Sequence, residues 1–202
     1  MRVWIKDLLG STILVAQKVN DAYPWGSTHT YLLMENPSPS DLEDSDTSVL
    51  DYEEETGITD TSEALQIDKT FVLADLVGRP RQIGAQAVRA VCSVSIARTG
   101  GTDGNIYWTK TTFDLGVMDS SGNFTSKVSA DATPNFSTNS TDYQTCSGQA
   151  FLDLSTGFTV EADERLALRI RVYGYIATTE NAKMRLNCSR GSADTYVELF
   201  LR

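Results

Sequence analysis

Between Glu164 and Ala177 the chain reads ERLALRIRVYGYIA, and the character of its side chains alternates residue by residue. Leu166, Leu168, Ile170, Val172 and Ile176 fall on one parity, and Arg165, Arg169, Arg171, Tyr173 and Tyr175 on the other. Successive side chains of a β-strand point to opposite faces, so a period of two predicts a strand with one face in a core and the other outward. What a face of arginines and tyrosines looks out at then becomes the functional question.

The neighbouring sequence repeats the pattern. AVRAVCSVSIAR places Val88, Ala90, Cys92, Val94 and Ile96 on one parity, and IYWTKTTFDLGVMD is long and rich in β-branched and aromatic residues. SSGN reads as a hairpin turn leading into FTSKVSA. The Ser/Thr-rich residues 119–148 suggest a long polar connection with one edge strand, and QAFLDL and GFTVEA read as short strands flanking a turn. AKMRLNCS and TYVELFLR alternate again. Strands at this spacing, joined by polar turns, predict an all-β fold, an antiparallel β-sandwich of jelly-roll-like form occupying residues 69–202. Helix is expected for a turn or two at most, near KTFVLADLVG.

Charge divides the chain. Residues 1–68 carry a net −11 and residues 69–202 a net +1. The first part reads as an N-terminal arm or extension, with strand-like STILVAQ and THTYLLM joining the core. Residues 35–63 hold 11 acidic side chains and no lysine or arginine, which predicts a solvated acidic loop that Val49, Leu50, Tyr52 and Ile58 could anchor. No basic patch is available for phosphates, so direct nucleic-acid binding is not expected. No apolar run approaches the roughly 20 residues of a bilayer span. The four-residue run Ile13 to Ala16 is too short for a signal peptide core. The expectation is a protein made in a cytoplasm, without membrane attachment.

Reactive chemistry is sparse. Cys92, Cys146 and Cys188 are widely spaced and have no CxxC or Cys/His companion, so buried free thiols are expected for Cys92 and Cys188, with no zinc site. The single histidine, His29, has no nucleophile elbow beside it. DLEDSDTSVLDYEEE lacks the glycine that an EF-hand requires at its sixth position. Asp163 and Glu164 could serve as a carboxylate pair, but they sit where a polar turn enters a strand. GGTDGN has no following helix and no lysine, and reads as a turn. The N-x-S/T matches at Asn123, Asn135, Asn139 and Asn187 are what a Ser/Thr-rich chain produces by chance. No enzyme, cofactor or metal is expected.

The arginine–tyrosine face remains. Both residue types are enriched at protein interfaces, so Arg169, Arg171, Tyr173 and Tyr175 are the candidate protein-interface residues, with an ordinary solvated sheet face as the alternative. Tyr107, Trp108 and Tyr143 are candidates for stacking on sugar rings, with core packing the competing use of Trp108.

Finally, FTVEADERLALRIRVYGYIATTENAKMRLNCSRGSADTYVELFL resembles the closing strands of β-sandwich virion proteins of tailed phages. Glu164, Arg165, Leu166, Leu168, Tyr173, Gly191, Asp194, Thr195, Tyr196, Val197 and Glu198 carry the likeness, which spans about 45 residues. The resemblance implies a structural virion protein. Its first form is a capsid cement (decoration) protein at the capsid surface, with the major capsid protein and further copies of itself, a trimer favoured, as partners. A tail-fibre, baseplate or neck component, or a carbohydrate-binding adhesin, is the alternative.

Overall fold

The structure is a computed structural model, and it describes residues 14–18, 28–35, 52–73, 80–100, 104–177, 181–188 and 195–200. Fourteen strands and no helix occur among these residues. In chain order they are β1 (Leu14–Lys18), β2 (Thr28–Glu35), β3 (Tyr52–Ile58), β4 (Ala64–Leu73), β5 (Arg81–Ile83), β6 (Gln86–Arg98) and β7 (Ile106–Met118). Then follow β8 (Phe124–Ala132), β9 (Phe136–Thr138), β10 (Gln144–Leu154), β11 (Phe158–Val160), β12 (Arg165–Ile176), β13 (Ala182–Cys188) and β14 (Tyr196–Phe200).

Twelve of them form one hydrogen-bonded sheet that folds back on itself as a sandwich. One layer is β10–β6–β13–β3, with β14 also on β6. The other is β4–β12–β7, with β8 and β9 along the far side of β7. β14, β2 and β1 run between the layers, and β1 joins β4 in a parallel pairing while the rest are antiparallel. β5 and β11 form a separate two-stranded ladder.

Alternation produces the core directly. Val88, Ala90, Cys92, Val94 and Ile96 of β6 are buried, as are Leu166, Leu168, Ile170, Val172 and Ile176 of β12. Between the layers lies Trp108 of β7, fully buried, with its indole N–H donating to Thr111 Oγ1 at 3.0 Å. The Cys92 thiol donates to the same hydroxyl at 3.6 Å. Burial pushes this thiol up to about 12, so Cys92 is an inert core group. Cys146 is half-buried, and the side chain of Cys188 lies outside the described residues.

The outward parity of β6 holds a second, polar cluster. Asn187 Nδ2 donates to Ser95 Oγ at 2.8 Å and Ser93 Oγ at 3.3 Å. The Ser93 N–H donates to Thr195 Oγ1 at 3.1 Å, and the Thr195 hydroxyl donates to the Asn187 carbonyl. All four residues are buried, so these bonds satisfy groups that water does not reach and tie the start of β14 to β6 and β13.

The turn expected at SSGN is present. Gly122 takes a positive φ of 84°, and the Asp119 N–H donates to the Asn123 carbonyl at 3.0 Å. The Asn123 side-chain amide and backbone N–H, with help from Ser121 and Gly122, hold the Asp119 carboxyl below its usual range.

Three expectations change. Lys69–Leu73, the start of the segment expected to hold a turn of helix, is strand. It is hydrogen-bonded to β12 on one side, and its Phe71–Leu73 stretch also to β1, and residues 74–79 lie outside the described residues. QAFLDL is the end of an 11-residue strand that starts at Gln144 and pairs with β6 throughout, while GFTVEA contributes β11, which pairs with β5. Within the acidic stretch, Tyr52–Ile58 is β3, paired with β13 and with Ile58 fully buried; residues 36–51 lie outside the described residues.

β10 was hard to read because its inward positions include a glycine. A Cβ on Gly148 would stand 3.0 Å from two ring atoms of Trp108, tighter than ordinary contact, so the indole occupies the space a side chain would fill. Gly148→Ala is therefore expected to lower stability by about 1–3 kcal/mol through overpacking, read as a lower urea midpoint with unchanged m-value.

Candidate functional site

β12 lies at the centre of its layer, with β4 on one side and β7 on the other. Its inward residues are fully buried, and the alternation leaves Arg169, Arg171, Tyr173 and Tyr175 together on the outer face, each half-buried. The structure thus brings all four candidate interface residues into one row.

Each is held by a partner on a flanking strand. Arg169 makes a two-pronged ion pair with Asp68 of β4, through Nε to Oδ1 at 2.7 Å and through its terminal nitrogen to Oδ2. These bonds raise the pKa of Arg169 further above its ordinary value. Arg171 reaches the opposite way, to Asp114 of β7, with distances of 2.7 and 3.2 Å to Oδ2. By register Arg171 faces Asp68 and Arg169 faces Asp114, so both pairs are diagonal and cross over the strand. Lys110 Nζ sits 4.3 Å from the centroid of the Tyr173 ring. Tyr175 stacks on Tyr107 with centroids 4.6 Å apart and planes 12° from parallel.

Two breaks in register flank Tyr173, one against β4 between Val172 and Tyr173 and one against β7 between Tyr173 and Gly174. The β4 ladder skips Gln66 and the β7 ladder skips Thr109, both beside Tyr173. Gln66 Nε2 donates to the Gly174 carbonyl at 3.0 Å and Thr109 Oγ1 to the Tyr173 carbonyl at 3.3 Å, so the extra residues bond β12 at the break. Gly174 is required there: a Cβ would lie 2.4 Å from the Tyr107 carbonyl oxygen. The result is an ionic half, Asp68, Arg169, Arg171 and Asp114, and an aromatic half, Tyr107, Tyr173 and Tyr175. Leu65, opposite Tyr173 and 46% exposed, extends the aromatic half.

The flanking residues Asp68, Asp114, Lys110 and Leu65 carry no alternation signal of their own, and only the pairing of β12 with both neighbours reveals them. The face presents guanidinium and phenol groups, each held by a neighbour on the same sheet. Tyr107 and Tyr175 spend their facing ring surfaces on each other, and Lys110 covers a face of Tyr173. The Tyr107 hydroxyl accepts from the Asn105 side-chain amide at 3.4 Å, and rings already stacked or covered in this way leave less face for a sugar ring.

The sugar-stacking candidates are not brought together. Trp108 is buried in the core, Tyr107 is on the outer face of β7, and Tyr143 lines a groove elsewhere. That groove, about 570 Å³, is formed by Ala97, Arg98, Thr99, Thr141, Tyr143, Lys183 and Arg185, with the Arg185 guanidinium 4.1 Å from the Tyr143 ring centroid. His29 lies in β2 with its backbone opposite Leu199, and its side chain is outside the described residues. Glu164 accepts the Glu161 N–H at 3.0 Å in a turn, and Asp163 is exposed. Asn123, Asn135 and Asn139 are exposed, whereas Asn187 is buried in the polar cluster. Among the described residues no group of three or more His, Cys, Asp or Glu could hold a metal ion, and no helix is long and apolar enough to cross a membrane.

Fold and surface together define an all-β sandwich with a pre-ordered arginine–tyrosine face. No family model matches the chain, and no curated protein matches it. Among solved structures, a CocE/NonD family hydrolase from Staphylococcus aureus is similar over 93% of this chain, at 10% identity and a TM-score of 0.51. The chain spans 41% of that hydrolase, and the likeness is one of fold. A CBM22-1 xylan-binding domain from Paenibacillus barcinonensis matches at 10% identity and a TM-score of 0.27, over 96% of this chain and 83% of that one. A chain of the infectious bursal disease virus particle matches at 11% identity and a TM-score of 0.24, over 85% and 46%. Those two likenesses are too slight to bear on function.

The ion pairs differ in what their loss should cost. Asp114 is only 5% exposed, so Arg171→Ala strands a buried carboxylate and is expected to destabilise by about 1–3 kcal/mol. Arg169 and Asp68 are both about one-third exposed, and Arg169→Ala is expected to cost no more than about 1 kcal/mol. Urea unfolding of the two variants side by side checks the order.

Proposed function

We propose that this chain is a non-enzymatic structural protein of a virion, a cement protein that binds the major capsid shell through the outer face of β4, β12 and β7. One observation carries the reading: the row Arg169, Arg171, Tyr173 and Tyr175 is fixed by intrachain partners before any partner arrives, with exposed Leu65 at its end. Fixing interface side chains in advance removes part of the ordering cost of association, and Arg and Tyr are the residue types that anchor such contacts. The resemblance of the closing strands to tailed-phage virion proteins supports the virion setting, with assembly in the host cytoplasm. Many copies each making a modest contact would stabilise a shell by multivalency.

The test is co-sedimentation with empty capsids assembled from the major capsid protein of the same virus. Wild-type protein is expected to pellet with them. Leu65→Lys and Tyr175→Ala are expected to weaken binding by about 2 kcal/mol each, as hot-spot substitutions do, while melting stays close to wild type. Failure of the wild type to bind, or binding indifferent to both changes, overturns the reading.

A second reading, a carbohydrate-binding adhesin, is favoured by the Tyr143 groove, because concavity suits a small ligand better than a flat sheet does. Binding on a glycan array that disappears in Tyr143→Ala supports the adhesin.

A further inference from the structure

In the large sheet, four strands have one side without a hydrogen-bonded neighbour among the described residues: β3, β8, β9 and β10. Such an edge presents a row of N–H and C=O groups that can template pairing with another chain, and proteins guard it with brevity, charge, proline or bulges. Three of the four are guarded. β9 has three residues. β3 carries Glu53, Glu54 and Glu55 in succession. β8 carries Lys127 and Asp131, and its ladder with β7 is broken at Leu115/Gly116.

β10 has none of these devices. It runs 11 residues, QTCSGQAFLDL, with no lysine, arginine or proline, and its one acid, Asp153, is next to the end. Its register with β6 is unbroken from Gln144 to Leu154. Thr145, Ser147, Gln149, Phe151 and Asp153 are all exposed on its outer face, Phe151 at 62%. Opposite Phe151 stands Arg89, fixed by bonds of 3.0 and 3.2 Å to Gln149 Oε1 and lying 5.7 Å from the Tyr196 ring centroid. An exposed phenylalanine beside an ordered arginine and tyrosine is the composition of an interface anchor.

We propose that β10 is a self-association edge, pairing antiparallel with β10 of a second copy across a two-fold axis so that the sheet continues from one subunit into the next. A second copy is the occupant that fits because antiparallel pairing about a two-fold axis is self-complementary: if residue i meets residue j, then j meets i. Four of the five outward side chains are uncharged, so nothing at the middle of the strand repels an identical partner. With the axis at Gln149, Phe151 of each copy packs against Ser147 of the other. This pair is two-fold, unlike the trimer that the virion resemblance suggests, and it uses a surface separate from the Arg169–Tyr175 face.

Sedimentation velocity over a dilution series tests it. The wild type is expected to dimerise. Ser147→Lys with Phe151→Lys, which sets like charges opposite one another, is expected to weaken the dimer at least about tenfold while the monomer melts normally. Mixing that variant with the Ser147→Glu, Phe151→Glu form is expected to restore a heterodimer, and Leu65→Lys is expected to leave dimerisation unchanged. Should the lysine variant fail to fold, hydrogen exchange of wild-type β10 amides gives the answer: protection must grow with protein concentration. A wild type that stays monomeric, a dimer indifferent to the lysine pair, or β10 exchange independent of concentration overturns the proposal. None of these outcomes depends on capsid binding.

Discussion

The burial of one face of β12 is the constraint on which the rest of the molecule depends. Leu166, Leu168, Ile170, Val172 and Ile176 are all fully buried, and a slip of one residue against either neighbour would drive Arg169 and Arg171 into the core. The register of β4 and β7 is therefore set from β12 outward, and with it the diagonal pairing of each arginine to an acid on the other side. Across the two breaks at Tyr173 the strand keeps its apolar side inward, with Val172 and Ile176 both fully buried. The core and the outer arginine–tyrosine face are two consequences of one alternation.

The layers are joined by chemistry as well as by apolar contact. Thr111 receives both the Trp108 indole and the Cys92 thiol, so the centre of the sandwich has a shared acceptor that fixes how β6 and β7 face each other. On the outer side of β6, Asn187, Ser93, Ser95 and Thr195 tie β6, β13 and the start of β14 together within one layer. Buried polar groups of this kind favour a single arrangement, since any shift leaves donors unsatisfied.

The long alternating strands β6, β7 and β12, the hairpin at Asp119 to Asn123, and the row of candidate interface residues were legible because each is written in local periodicity. The full length of β10 was not. Its inward side reads Cys146, Gly148 and Ala150, small residues of which Gly148 makes room for Trp108 on another strand, and its outward side is Ser, Thr and Gln, which resemble a loop. Nor was β3 legible, because Glu53 to Glu55 argue for a solvated segment until β13 is known to run beside them. On the outer face of β12 the sequence shows four candidate residues; Asp68, Asp114, Lys110 and Leu65, which hold or extend them, lie roughly 50 to 110 positions away and meet them only through pairing.

The order of the strands has a kinetic consequence. β2 pairs with β14, β3 with β13 and β4 with β12, so the earliest strands of the chain take neighbours from its last third. A growing polypeptide therefore cannot finish this sheet from its first strands: β2, β3 and β4 must wait until β14, β13 and β12 have been made. Contacts so distant along the chain are slow to close, and waiting strands expose unpaired edges. Closure of the large sheet is thus held back until β12, β13 and β14 are available.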